Sequence, residues 1–209
     1  MEILLSFSAL GVIALLAAIS PGPDFLIVSK NSLSHSRTAG IWTAIGVGSA
    51  LLVHTAYTIV GIGLIISQSV LLFSIIKILG AAYLIWLGAG LLWRRGNATP
   101  ALEHQNFAGT KSNLMAFREG FLTNVLNPKA TVFFVSIFTQ FVSPHLPIAV
   151  QAAYGVEVAA IVALWFVALS IMLTFSPIRS RIATLQDRLM QIMGVALVVL
   201  GIKVALEHR

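Results

Sequence analysis

Six stretches of this chain are too long and too apolar to serve as the core of a protein folded in water. They cover about 3–28, 39–66, 70–93, 119–142, 148–175 and 189–206. Each reaches about 18 residues or more, the length a helix needs to cross the hydrocarbon layer of a bilayer. In lipid every backbone polar group must find its partner within the structure, and helices meet that demand segment by segment. The expected fold class is therefore an all-α integral membrane protein with six transmembrane helices. Only 10% of the 209 residues are charged, against about 25% in soluble domains, so the spans use up the length and leave no room for a second domain. The run after Met1 carries Glu2 and no Lys or Arg ahead of it, so it reads as the first span and not as a removable signal.

The connections alternate in charge. The first holds Lys30 and Arg37, the third Arg94, Arg95, Lys111 and Arg118, and the fifth Arg179, Arg181 and Arg188; the second and fourth hold almost none, apart from Lys77 at the edge of a span. Short basic loops stay in the cytoplasm. Three on one side place both termini on the other, N-out and C-out. The net charge of +6 is thus an orientation signal and not a nucleic-acid footprint. The chain has no cysteine, which excludes disulfides and thiolate metal sites. The third connection, about 94–118, reads as a loop, with Phe107, Met115 and Phe117 giving its second half the makings of an interfacial turn. Trp42, Trp86 and Trp93 sit near span ends, as interfacial anchors do.

A repeat divides the chain. "SPGPDFLIVS" (Ser20–Ser29) resembles "NPKATVFFVS" (Asn127–Ser136), and the prolines align at an offset of 128 − 21 = 107. Gly48 meets Gly155 at the same offset, and "KILGAAYLI" (Lys77–Ile85) matches "QIMGVALVV" (Gln191–Val199). Repeat one covers about 1–93 and repeat two about 119–209, separated by a cytoplasmic loop of about 94–118. Three spans per half is an odd number, so the halves insert with opposite orientation. Inverted repeats with Pro- or Gly-interrupted helices in equivalent places point to a transporter whose substrate binds at the breaks. Helices 1 and 4 are expected to break, with Ser20 as N-cap and Pro21 at the first helical position, and with Asn127 and Pro128 doing the same in the second half. Each break offers free N–H groups and a positive helix end, which suits a carboxylate.

Few ionisable groups lie inside the spans, where each is costly. Lys129 is placed to meet a substrate carboxylate, and Asp24 to meet a substrate ammonium or Lys129 itself. Ser20, Pro21, Gly22, Pro23, Asp24, Asn124, Asn127, Pro128 and Lys129 form the expected substrate site. Glu157 lies about nine residues from the nearest polar loop; a carboxylate there is costly to keep charged, which makes it the first candidate for carrying a proton. His54, mid-span and of a type that titrates near neutrality, is the second. Gln140 lines the cavity or bonds a neighbouring helix. Gly46, Gly48, Gly80, Gly88 and Gly90 are read as close-packing positions, since "GVG" is too short for a nucleotide loop. No metal-ligand cluster, Ser/His/Asp spacing or phosphate loop is present, so no cofactor is called for.

These residues carry a family likeness. "SPGPDFLIVS", "AAYLIWLGAGLL" (Ala81–Leu92) and "FLTNVLNPKATVFF" (Phe121–Phe134) resemble the LysE superfamily, and within it the RhtB-like amino-acid exporters of the threonine and homoserine/lactone efflux type. The likeness runs over nearly the whole chain. It implies a bacterial inner-membrane exporter of amino acids driven by the proton gradient. His54, in "GSALLVH" (Gly48–His54), falls where many RhtB-like proteins carry histidine, and Glu157 matches an acidic position of some members. Lysine-exporting members carry an aspartate near Ser49; its absence here implies a neutral substrate. The partners are then a small amino acid, protons and membrane lipid, with room for a homo-oligomer. An intramembrane enzyme would need a nucleophile or metal set that is missing. A channel would need a polar stripe through several spans, whereas the polar residues cluster at the breaks. A non-transporting scaffold would not need buried charges.

Overall fold

The computed structural model describes residues 2–20, 22–68, 70–93, 111–143, 145–175, 191–192, 194–203 and 205–206. Among these every regular element is a helix: α1 (Glu2–Ile19), α2 (Pro23–Ser34), α3 (Arg37–Gln68), α4 (Val70–Trp93), α5 (Asn113–Val125), α6 (Pro128–Phe141) and α7 (Ile148–Leu173), followed by α8 (Gly194–Lys203). Two of them, over Arg37–Gly61 and Ile148–Leu173, are long and apolar enough to cross a membrane alone, and the number rises to four if each bent pair counts as one span. Two further apolar stretches, Ile78–Gly90 within α4 and Gly194–Lys203, are shorter. The outward faces are apolar, with Val60, Leu79, Trp86 and Leu164 all exposed, as a lipid-facing surface requires.

Both expected breaks are present. α1 meets α2 at 60°, and α5 meets α6 at 62°. At the second, Asn127 caps α6 by accepting a hydrogen bond from the Lys129 N–H, and Pro128 opens the helix. The first differs from the sequence expectation. Pro21 lies outside the described residues. The new helix starts at Pro23, and its N-cap is Gly22, not Ser20. Gly22 is extended, φ −175° and ψ −175°, because a residue before proline is driven out of the helical region, while Pro23 has the preset φ of a first helical position. Ser20 closes α1, its N–H bonding the Ala17 carbonyl at 3.2 Å.

The fourth segment also starts earlier than expected. α5 begins at Asn113, with the Ser112 side chain accepting from the Met115 N–H. Met115 and Phe117 therefore belong to a regular helix and not to an interfacial turn; Phe107, Arg94 and Arg95 lie outside the described residues, as do Arg179, Arg181 and Arg188.

α3 packs on α2, α5 and α7. In lipid there is no hydrophobic drive between helices, so small residues that let backbones approach do the joining. A Cβ on Gly46 would lie 2.2 Å from the Phe117 carbonyl oxygen, and one on Gly120 would lie 2.1 Å from that of Thr43, so α3 and α5 touch backbone to backbone. Gly48 abuts Ala163, Gly155 abuts Thr55, and Gly88 abuts the Gly194 carbonyl. Gly90 departs from the sequence reading, with nothing within 4 Å of its Cβ position.

One end of the bundle gathers three connections. Arg37 donates to Thr174 Oγ1 at 2.9 Å and sits over the Phe175 ring. Lys111 pairs with Glu119 at 2.6 Å and donates to Asn31 Oδ1 at 3.0 Å. Asn31, fully buried, donates onward to Thr43 at 2.8 Å. Lys111, read from sequence as a loop charge, is thus a largely buried tie between α5, α2 and α3.

Candidate functional site

The two breaks hold each other across the centre of the molecule. Asp24, in the first turn of α2, accepts hydrogen bonds at one oxygen, Oδ2, from Asn124 Nδ2 at 3.0 Å and Asn127 Nδ2 at 3.2 Å. In return Lys129, in the first turn of α6, donates from Nζ to Ser20 Oγ at 3.0 Å. The ammonium lies over Gly22, whose Cβ would sit 3.2 Å from Nζ. Asn127 serves twice: its Oδ1 takes the Lys129 N–H at 3.0 Å while its Nδ2 holds Asp24. One N–H expected to be free at that helix end is therefore already capped. Asp24 faces a positive helix end as well as two amides, an arrangement that favours a negative group.

A second tier extends from Asn124. His54 is buried, only 1% exposed. Its Nε2 lies 3.1 Å from Asn124 Oδ1 and 3.3 Å from the Asn124 carbonyl, and its Nδ1 meets the Tyr57 hydroxyl. Because Asn124 donates to Asp24 through Nδ2, its Oδ1 is an acceptor. That assigns the imidazole hydrogen to Nε2 and makes Nδ1 the acceptor for Tyr57. His54, Asn124 and Asp24 thus form one hydrogen-bonded chain.

A cavity of about 70 Å³ lies against this cluster, room for roughly five to seven waters. Ser20, Gly22, Asp24, Asn124, Asn127 and Lys129 line one part of it. Asp24 Oδ1 is buried and accepts no hydrogen bond, so a carboxylate oxygen stands ready for a donor. Most of the remaining wall comes from α1, α6 and α7, on the far side of the breaks from the Lys111–Glu119 end.

Of the residues singled out from sequence, the structure brings together Ser20, Gly22, Asp24, Asn124, Asn127 and Lys129, with His54 one bond behind. Pro23 and Pro128 shape the helix starts and do not line the cavity. Glu157 is not brought there. It lies where α1 crosses α7, its Oε1 3.2 Å from a Cβ on Gly11, and its buried Oε2 accepts no hydrogen bond. Gln140 also lies away from the cavity. The sequence reading missed Tyr57 and the apolar wall. Two wall residues carried a signal, since Phe133 and Ile137 follow Lys129 at intervals of four and share its helix face. Tyr57, three residues after His54, shares a face in the same way. Among the described residues no three His, Cys, Asp or Glu side chains gather to hold a metal.

The family model described as LysE type translocator matches residues 15–208. An uncharacterised membrane protein of Bacillus subtilis, YrhP, is 32% identical over 201 residues, covering 93% of this chain and 96% of its own. The threonine efflux protein of Escherichia coli K12 is 31% identical over 163 residues, 76% of each chain. The homoserine/homoserine lactone efflux protein of Salmonella typhimurium is 35% identical over 132 residues, 63% of this chain and 62% of its own. No solved structure matches.

Proposed function

The chain belongs to the LysE type translocator family, and from that membership and the charges of the cavity we propose that it exports a small neutral amino acid across the bacterial inner membrane in exchange for protons. Its named relatives are efflux transporters and not enzymes. The observation that carries the proposal is the pairing of an unpartnered carboxylate oxygen, Asp24 Oδ1, with the Lys129 ammonium in one cavity. An amino acid is a zwitterion. Its ammonium binds Asp24 Oδ1, and its carboxylate binds Lys129 in place of Ser20.

The six-span inverted repeat is part of this reading. Residues equivalent in two inverted halves meet only on the axis that relates them. Gly22 and Lys129 are equivalent by the proline alignment, since 129 − 22 = 107, and they are in contact. Gly48 and Gly155 are equivalent, and each packs reciprocally: Ala163 lies eight residues after Gly155, and Thr55 seven after Gly48. The bends of 60° and 62° also match. The basic connections mark their end as cytoplasmic, leaving both termini outside. The cavity then faces outward, with the Lys111–Glu119–Asn31 tie sealing the inner end. For the proton, the chain from Asp24 through Asn124 favours His54, while Glu157 stands apart from the substrate.

Counterflow of labelled amino acids in proteoliposomes tests the reading. Exchange of at least one neutral amino acid is expected, lost in Lys129→Met and partly kept in Lys129→Arg. Equal activity of those two variants at equal protein abundance refutes the role of the Lys129 charge.

A further inference from the structure

The amino acid's ammonium and carboxylate take the charged part of the cavity, and the rest of the wall says what its side chain is. Every lining residue other than Ser20, Asp24, Asn124, Asn127 and Lys129 is apolar or glycine. On α6, Phe133 and Ile137 lie one and two turns beyond Lys129, about 6 and 12 Å along the axis. On α7, Val158, Val162 and Phe166 face the same space. On α1, Ala14, Ala17 and Ala18 complete it; their spacing of three and four puts them on one helix face. Three side chains that end at Cβ leave room at that face, and bulky neighbours bound it.

Resting on the amino-acid reading above, we infer that this wall selects an aliphatic side chain, of the valine or leucine kind, over a hydroxyl-bearing one. A substrate held by its ammonium at Asp24 and its carboxylate at Lys129 projects its side chain among Phe133, Ile137, Val158 and Val162. A methyl group there exchanges water for apolar contact. A hydroxyl there gives up its water and finds no polar side chain on α1, on α6 beyond Lys129 or on α7, while Asn124 and Asn127 stay engaged with Asp24. Apolar pockets reject an isostere that merely adds a hydroxyl by roughly 100-fold. Valine and threonine are such a pair, equal in shape and different in one group.

The experiment is counterflow by the purified full chain in proteoliposomes, with labelled valine, leucine, threonine and homoserine. The expected result is exchange of valine and leucine, with a half-saturating concentration for threonine roughly 100-fold above that for valine. Threonine or homoserine equal to or better than valine overturns the inference and leaves the amino-acid reading standing. Exchange of none of the neutral amino acids overturns both. Val162→Thr, which adds a hydroxyl to the wall without changing its shape, is expected to narrow the valine–threonine ratio by at least about tenfold. A ratio unchanged in that variant removes the selection from this wall and overturns the assignment.

Discussion

Gly22 allows the clasp between the breaks to be tested by size alone. Its backbone is extended, φ −175° and ψ −175°, a conformation open to any residue, so a side chain introduces no backbone strain. What it introduces is a collision with Lys129. The first carbon would sit 3.2 Å from Nζ, 3.6 Å from Cδ and 3.9 Å from Cε. All three atoms belong to the far part of a flexible chain. Gly22→Ala is met by a shift of a few tenths of an ångström, and stability should change by less than about 0.5 kcal/mol. Gly22→Leu fills the space the ammonium occupies and drives it from the 3.0 Å contact with Ser20 and from the cavity. A hydrogen bond to a charged group contributes about 1.5–3 kcal/mol, which is roughly 10- to 150-fold in a binding constant. The assay is the half-saturating substrate concentration for exchange in proteoliposomes, across Gly22→Ala, Gly22→Val and Gly22→Leu at matched protein. The expected series starts near wild type for Ala and rises to 10- to 150-fold for Leu, with unchanged elution as a folded species. Wild-type affinity in Gly22→Leu would refute Lys129 as the carboxylate's partner.

Energy coupling and packing give the remaining predictions. His54→Gln should abolish concentration of substrate driven by a pH gradient while sparing downhill exchange, and Glu157→Gln should leave the driven process largely intact. The reverse outcome moves the proton from the His54–Asn124–Asp24 chain to the α1–α7 contact. Gly88→Ala and Gly90→Ala form a matched pair on α4: the first places a methyl 2.6 Å from the Gly194 carbonyl and the second meets nothing. Overpacking costs about 1–3 kcal/mol, so Gly88→Ala should melt earlier in detergent and Gly90→Ala should not; equal melting refutes the α4–α8 contact.

The parts of this molecule legible in its sequence are those where lipid or proline leaves little choice. Runs of apolar residues became helices. Asn127-Pro128 became a capped helix start because asparagine accepts from the N–H two residues on and proline has none to lose. The first break lies two residues later than the sequence suggests, because "SPGP" offers two prolines and only the geometry decides that Pro23 opens the helix. Asp24 and Lys129 were legible as neighbours at the two breaks, lining one cavity, because charges inside spans are rare. Their division of labour was not, since sequence does not say that Lys129 turns to Ser20 and Asp24 to two asparagines. Lys111 reads as a loop charge because its neighbours are polar, yet Asn31 and Glu119, 80 and 8 residues away, draw it inward. The apolar wall was hidden for the opposite reason: in a chain this rich in Phe, Val and Ile, a side chain facing a cavity looks the same as one facing lipid.

The backbone contact between α3 and α5 has a mechanical consequence. Helices separated by side chains can slide, because rotamers give way; carbonyl oxygens pressed against Gly46 and Gly120 cannot. These two helices are in contact backbone to backbone, as one beam, and the Asn31–Thr43 bond ties α2 to it. α1 and α6 leave that frame at bends of 60° and 62°, so a change in either angle would move an arm relative to the frame. Asp24 stays with the frame and Lys129 rides on an arm. A swing of α6 would therefore alter the spacing between anion and cation, and on the proposed reading the grip on a molecule carrying both charges would vary with the angle of a single joint.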